Sequence, residues 1–197
     1  MKNREVPEVY QPKRELLSEL ETLSERGLID LYYGDESRVA LEPNVPYGWQ
    51  FADEEVAMPS EKGSGLNCFA LLKRNNQAVI ETTERAMDSQ FIFDKLEDFS
   101  IGIKKLTVVV LDNASVHRSR IIKERIKIWQ HRGLYIFYLP RFSPHLNIVE
   151  ILWRKLKYEW LAPADYQDKG NLFYQIRVAL KSVGQSLFIG FSKFRHT

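Results

Sequence analysis

Cysteine is almost absent: the 197 residues hold one, Cys68. A single thiol excludes an intrachain disulfide and any cysteine-rich zinc site. Its setting, Leu-Asn-Cys-Phe-Ala, reads as a small buried hydrophobe. Long apolar runs are missing too. The longest span six or seven residues, such as Leu106 to Leu111, against the roughly 20 that a membrane helix needs. The start, Met-Lys-Asn-Arg, lacks the apolar core of a secretory signal. There is no repeat, low-complexity tract or Gly/Ser linker, and no Walker loop, Rossmann glycine pattern, nucleophile elbow or His-rich zinc motif. What remains, at 44% hydrophobic and 27% charged, is an ordinary globular composition sized for one domain, expected in the cytoplasm.

The net charge of +2 is small, but its distribution is not even. Residues 1–100 carry 11 Lys+Arg against 20 Asp+Glu, and residues 101–197 carry 17 against 6. Such asymmetry fits a basic face for a polyanion. It fits equally well two halves that attract each other as they pack.

Periodicity supplies the elements. Residues 1–12 read as a loose tail with Pro7 and Pro12, and 13–26 as an amphipathic helix with Leu16, Leu17, Leu20 and Leu23 on one face. Residues 1–27 thus form a tail and linker helix ahead of a domain over 28–190. Leu28 to Tyr33 is a strand ending at Gly34-Asp35, and 41–65 collect most turn signals. Leu66 to Leu72 and Gln77 to Thr82 are strands joined at Asn75-Asn76, and Asp88 caps a helix that turns Ile92, Leu96 and Phe99 inward. Leu106 to Leu111 and Leu134 to Leu139 are apolar strands flanking a helix over 118–131. That is a βαβ crossover, so the two strands are parallel. Helices follow over 148–161, with Val149, Leu152, Leu156 and Trp160 inward, and over about 170–187. The sum is an α/β mixed sheet flanked by helices.

Three acids stand out. Asp35 and Asp112 follow strands, and Glu150 opens a helix. Each has a structural explanation. Asp35 suits a turn, Asp112 an Asx turn with Asn113, and Glu150 the N3 position of a capping box begun by Asn147. Each also suits a metal. Carboxylates delivered to one sheet edge can hold two Mg²⁺ ions, the usual machinery for in-line attack on a phosphodiester. The carboxyl end of a buried parallel strand, where Asp112 falls, is a favoured ligand position.

The flanks of these acids resemble a known family. Asp112-Asn113-Ala114-Ser115-Val116-His117 and Leu139-Pro140-Arg141-Phe142-Ser143-Pro144-His145-Leu146-Asn147-Ile148-Val149-Glu150-Ile151-Leu152-Trp153 resemble the second and third motifs of bacterial insertion-sequence transposases of the mariner-like DDE superfamily. The 37 residues between Asp112 and Glu150 are close to the mid-thirties spacing of that branch. Asp35-Glu36-Ser37, with Tyr47-Gly48-Trp49 downstream, resembles the first motif, although Arg38-Val39 replace the usual small residue and aromatic. The resemblance covers about residues 14–185.

It implies a ribonuclease H-like, five-stranded mixed sheet. It implies that Asp35, Asp112 and Glu150 form the catalytic, metal-binding triad for two Mg²⁺, with Mn²⁺ able to substitute. The implied reaction is hydrolysis of a DNA phosphodiester followed by strand transfer from a 3′-OH. The implied partners are transposon ends and target DNA, a second copy of the chain, and a separately encoded helix-turn-helix subunit, since residues 1–13 leave no room for such a module. The chain would associate with the nucleoid when bound to DNA.

Asn113, His117, Arg118, Arg141, His145 and Lys157 are the candidate DNA contacts, with Arg120, Lys123, Arg125 and Lys127 as a basic helix face and Lys73-Arg74 a weaker hairpin-tip candidate. Trp153 reads as core. Two rival readings stand beside this one. One is a domesticated or decayed copy that binds DNA or a partner without cutting. The other is a ribonuclease H-like nuclease acting on RNA–DNA hybrids.

Overall fold

The computed structural model describes residues 7–42 and 64–192. The elements run α1 (Pro7–Glu25), β1 (Asp30–Ala40), β2 (Gly65–Leu72), β3 (Ala78–Thr83), α2 (Ser89–Ile101), β4 (Thr107–Leu111), α3 (Arg120–His131), β5 (Leu134–Tyr138), α4 (Val149–Lys155) and α5 (Lys169–Lys181). The strands form one sheet in the order β3-β2-β1-β4-β5. Pairing is antiparallel on the β1–β2–β3 side and parallel on the β1–β4–β5 side. This is the mixed sheet expected from the periodicity.

Apolar alternation sends each strand's residues to two separate cores. Leu31, Tyr33, Val108 and Val110 pack under α1, α4 and α5 with Leu17, Val149, Leu152, Leu156, Leu172 and Ile176. Phe69, Leu71, Val109 and Leu111 pack under α2 and α3 with Ile92, Leu96, Ile122 and Trp129. β4, buried at all five positions, needs apolar residues on both faces, which is why it reads as a continuous run.

Several sequence expectations are corrected. α1 begins at Pro7 and contains Pro12, so residues 7–12 are no tail. Pro7 costs the helix nothing at its first position, where no N–H partner exists. Pro12 removes one bond, and the loss is offset where Tyr10 bonds His145 and Lys13 reaches the carbonyl of Tyr138. Leu16 is exposed while Leu17 is buried, so Leu16 does not share the core face. The helix after Asn147 stays α-helical only to Lys155, then widens into a π turn over Leu156–Trp160, with the Leu161 N–H reaching the Leu156 carbonyl. α5 stops at Lys181, short of 187. The chain turns at Gly184 (φ +75°), where a Cβ would lie 2.4 Å from the Asn76 carbonyl of the β2–β3 turn. Most of the turn-rich stretch 41–65, including Tyr47-Gly48-Trp49, lies outside the described residues.

Candidate active site

Asp35, expected at the end of a strand, instead lies inside β1, which runs on to Ala40. β1 changes partners there. Its first half pairs in parallel with β4, up to Tyr33 opposite Val110, and its second half continues only with β2. Carrying the parallel register two residues further sets Asp35 level with Asp112. Alternation then puts both on the face of Tyr33 and Val110, the face covered by α4, which carries Glu150. Gly34 permits this packing, since a Cβ there would lie 2.6 Å from Leu111 and 3.0 Å from Leu71.

Asp112 follows β4 directly. Its Oδ1 accepts the Ala114 N–H at 2.9 Å, the expected Asx turn, and the His117 Nδ1–H at 2.7 Å. Burial pushes this carboxyl up, but those hydrogen bonds and the charge of His117 outweigh it and hold the pKa below the usual value. The second ring nitrogen, Nε2, contacts Glu36 Oε2 at 3.0 Å. Burial alone would lower the imidazole pKa, yet the two carboxylates raise it to about 10, so His117 is a buried cation bridging two acids. This corrects its expected role: at 0% exposure it offers no surface to a phosphate.

Glu150 does not close the capping box. The Asn147 N–H is already used by the Pro144 carbonyl at 2.8 Å, and the first residue before α4 is Ile148. Among the described residues its carboxylate makes no hydrogen bond or ion pair. Burial raises its pKa and Asp112 adds to that, with Lys157 pulling the other way. Two neighbours fix the segment on the sheet. Asn147 Nδ2 donates to the Gly34 carbonyl at 3.1 Å, three residues before Glu150, and Trp153 Nε1 donates to Asp35 Oδ2 at 3.0 Å, three residues after it. Trp153 is buried, as expected for core, but its N–H does more than pack. The roles of Glu36, Asn147 and Trp153 were missed in the sequence. The periodic signal marks a buried Trp but not what its indole nitrogen faces.

The three acids line one cleft of about 430 Å³ with Asn113, Ala114, Leu139, Pro140, Arg141, Phe142, Ser143, Pro144 and Asn147. Burial, then the charges of Glu150 and Glu36, raise the Asp35 pKa to about 7, against which the Trp153 bond works. This is a set of hard oxygen donors, the chemistry that suits Mg²⁺. Among the described residues no three His, Cys, Asp or Glu side chains stand close enough to enclose an ion, so the acids line the cleft without forming a coordination shell.

Of the other candidates, Asn113 and Arg141 border the cleft. Arg118 is tied to Asn113 at 2.8 Å, His145 to Tyr10 at 2.8 Å, and Lys157 is near enough to influence Glu150. The basic helix face is partly consumed: Arg125 and Arg132 bind Glu97, and Arg120 pairs with Glu124. Lys73 and Arg74 are ion-paired to Asp30 and Glu21, which corrects their reading as DNA contacts. Pairs such as Glu97–Arg125, Asp30–Lys105 and Glu84–Lys169 join the acidic and basic halves, so part of the charge asymmetry holds the fold together. No helix among the described residues is long and apolar enough to cross a membrane.

Comparison with known proteins gives a consistent picture. Residues 30–173 match a family model described as DDE superfamily endonuclease. No curated protein matches the sequence. Among solved structures, the fold is similar to that of the Mos1 transposase paired-end complex with left transposon end, at 13% identity and a TM-score of 0.53 over 93% of this chain and 65% of that one. It is similar to the mariner Mos1 paired end complex with Mg, at 12% identity and a TM-score of 0.54 over 88% and 59%. It is also similar to a chain of the simian T-cell lymphotropic virus intasome in complex with PP2A regulatory subunit B56 gamma, at 13% identity and a TM-score of 0.56 over 83% and 51%. The chain therefore spans less than two thirds of each of these relatives. The shared fold is the ribonuclease H-like mixed sheet.

Proposed function

The chain belongs to the DDE superfamily endonucleases, and from that premise we propose that it is the catalytic domain of a transposase, cutting DNA at transposon ends and joining a 3′-OH to target DNA. Residues 28–190 are the proposed catalytic unit. The observation that carries the reading is the convergence of Asp35, Asp112 and Glu150, from β1, the end of β4 and α4, on one cleft.

Asp35, Asp112 and Glu150 would hold two Mg²⁺, which supply charge stabilisation to the attacking and leaving oxygens of an in-line displacement. The remaining groups prepare the site. His117 and the Ala114 N–H orient the Asp112 carboxylate and keep it ionised. Trp153 fixes one oxygen of Asp35 and, with Asn147, sets the height of Glu150 above the strand. Arg141, which borders the cleft, and Lys157, whose charge reaches Glu150, would neutralise phosphates flanking the scissile bond. The homologous Mos1 complex with Mg supports divalent metal use. The Mos1 complex with a transposon end supports DNA as the substrate. End recognition by a helix-turn-helix unit supplied in trans, and a pair of chains to process two ends, complete the proposal.

The test is nicking of supercoiled plasmid and joining of an oligonucleotide 3′ end, in Mg²⁺ or Mn²⁺. Wild type nicks and joins; Asp112→Asn keeps the fold and loses both, because an amide of the same shape holds a hard cation poorly. Equal activity in the two proteins would refute the proposal, and nicking without joining would favour a simple nuclease.

A further inference from the structure

Several cations of this chain are tied to acids: Lys73, Arg74, Arg120, Arg125, Arg132 and Lys155 each hold a carboxylate. Arg177 and Lys181, one turn apart on α5, form no ion pair among the described residues. Arg177 uses only its Nε–H, donated to the Thr82 hydroxyl at 3.4 Å, while its guanidinium lies over the Phe173 ring, 5.9 Å from the centroid. Its terminal N–H groups have no partner among the described residues. Glu84 takes its bond from Lys169 at 2.9 Å and feels Arg177 only as a further charge.

The two cations border a groove of about 390 Å³ between α5 and β3, the edge strand of the sheet. Ala78, Ile80 and Thr82 alternate onto its floor, and Gln185 lines it beside Lys181. One end is fixed in place. Gly184 turns the chain against the Asn76 carbonyl, and Asn76 holds Ile189 at both amide atoms, donating to its carbonyl at 3.1 Å and accepting its N–H at 2.7 Å. No carboxylate lines the groove among the described residues. Two cations, a hydroxyl and an amide make a donor set for phosphate oxygens. The dipole of α5 accounts for a cation in its last turn, Lys181, but not for Arg177 a turn earlier. Both lie beyond residues 30–173, the span matched to the family.

Strand register places the groove relative to the carboxylates. Asp35 is opposite Ala70 and Ala70 is opposite Ile80, so Ile80 is level with Asp35 and on the same sheet face, two strands away. Ser37, Cys68 and Thr82 make the next row of that face. With strands about 4.8 Å apart, the floor of the groove is about 10 Å from Asp35 and about 14 Å from Asp112. That distance equals about three or four nucleotides of a DNA strand, at about 3.4 Å of rise each. Positive charge continues across the gap. Burial pushes the Cys68 thiol up to about 12, and both Lys157 and Arg177 pull against it; Lys157 is also the cation whose charge reaches Glu150.

We infer that the α5–β3 groove is a second DNA contact, in which Arg177, Lys181 and Thr82 seat a backbone phosphate of the strand that leads away from the carboxylates. This deepens the proposed function and rests on it for the identity of the ligand. The contact reads no sequence; it sets the direction in which DNA leaves the cleft.

The test measures binding of a labelled duplex of arbitrary sequence by the full chain in Ca²⁺, over a range of salt. The double variant Arg177→Gln/Lys181→Gln binds about 10-fold more weakly at low salt. The slope of log affinity against log salt falls by about 1, the value for one phosphate. Arg177→Lys keeps the charge and the slope. Lys104→Gln removes a cation from an exposed position before β4, at the other end of the sheet, and leaves affinity and slope unchanged. The double variant melts within about 2 °C of wild type, as exposed substitutions do. Should it melt well below that, Lys181→Gln alone, which breaks no contact, must still lower the slope. An unaltered slope in these variants would overturn the inference, as would an equal fall in Lys104→Gln, which would make the effect one of net charge. Inorganic phosphate titrated alone by calorimetry separates a strand phosphate from a free one: tight binding that the double variant loses, with the DNA slope unaltered, would assign the groove to a free anion and sink the DNA contact. The binding arm needs no cleavage, so its outcome is separate from the plasmid assay. Failure of wild type to nick counts against the proposed function, whereas nicking by wild type with the slope unaltered in the double variant counts against the groove alone.

Discussion

Trp153→Phe isolates one hydrogen bond of the site. Phe keeps an aromatic ring in the buried position but removes the Nε1–H that donates to Asp35 Oδ2 at 3.0 Å. A hydrogen bond to a charged acceptor contributes about 1.5–3 kcal/mol when shielded. Asp35 is only partly buried, so water replaces some of that, leaving about 1–2 kcal/mol. The smaller ring leaves a void that costs about 1 kcal/mol more. A total of about 2–3 kcal/mol corresponds to a melting temperature lowered by about 5–10 °C for a chain of this size. The chemical consequence is separable from the stability loss. Burial and the charges of Glu150 and Glu36 already raise the Asp35 pKa to about 7, and the Trp153 bond works against them. Without it the pKa rises further, and at neutral pH a larger share of Asp35 is protonated. Metal and proton compete for the same oxygens, so Mg²⁺ affinity measured by calorimetry falls at pH 7 and recovers toward wild type by pH 8.5. A structural defect alone would not be relieved by raising the pH. A variant that melts lower yet binds Mg²⁺ and cleaves like wild type at pH 7 would refute the positioning role.

The remaining expectations are shorter. Glu150→Gln leaves the melting temperature of the metal-free protein within about 1 °C of wild type, because the Asn147 N–H is already paired with Pro144 and no cap is lost; activity is abolished, and wild-type cleavage would return Glu150 to a surface role. Glu97 accepts from Arg125, Arg132 and Trp129, and these bonds lower its pKa from the usual 4.5 to about 2 against a smaller burial penalty. A depressed carboxylate stabilises the fold above its unfolded pKa, so this contribution is whole above pH 4.5 and disappears as pH falls through about 2. With the partner arginines about 30% exposed, screening reduces it to about 1–2 kcal/mol. Denaturant melts of wild type and Glu97→Gln therefore differ by that amount at pH 7 and converge near pH 2; a constant difference across that range would show that the effect is packing.

Much of this was legible because the local signals and the fold agree. The β4–α3–β5 crossover followed from two apolar strands around a helix, and Asp88 caps α2 through the Phe91 N–H as its type suggests. Gly34 reads as a stop and so sets Asp35 at a strand end; what continues β1 is its antiparallel pairing with β2, a long-range contact that no local pattern encodes. His117 offers a similar lesson. Its bond to Asp112, five residues away, is local, but the one that buries its other nitrogen comes from Glu36, 81 residues away. The same holds for Arg74, whose charge is taken up by Glu21, 53 residues earlier on α1. The left-handed backbone at Phe142 (φ +60°) is invisible in a sequence, since nothing about a Phe between Arg and Ser announces such a turn.

The central claim is that Asp35, Asp112 and Glu150 act together on divalent metal. The most direct test is anomalous scattering from crystals of this chain grown with Mn²⁺. Two peaks roughly 3.5–4 Å apart are expected in the cleft, with ligand oxygens from Asp35, Asp112 and Glu150, and in Asp112→Asn crystals at least one of them should be lost. Manganese bound elsewhere, with the cleft acids free of it in a preparation that still cleaves DNA, would contradict the account.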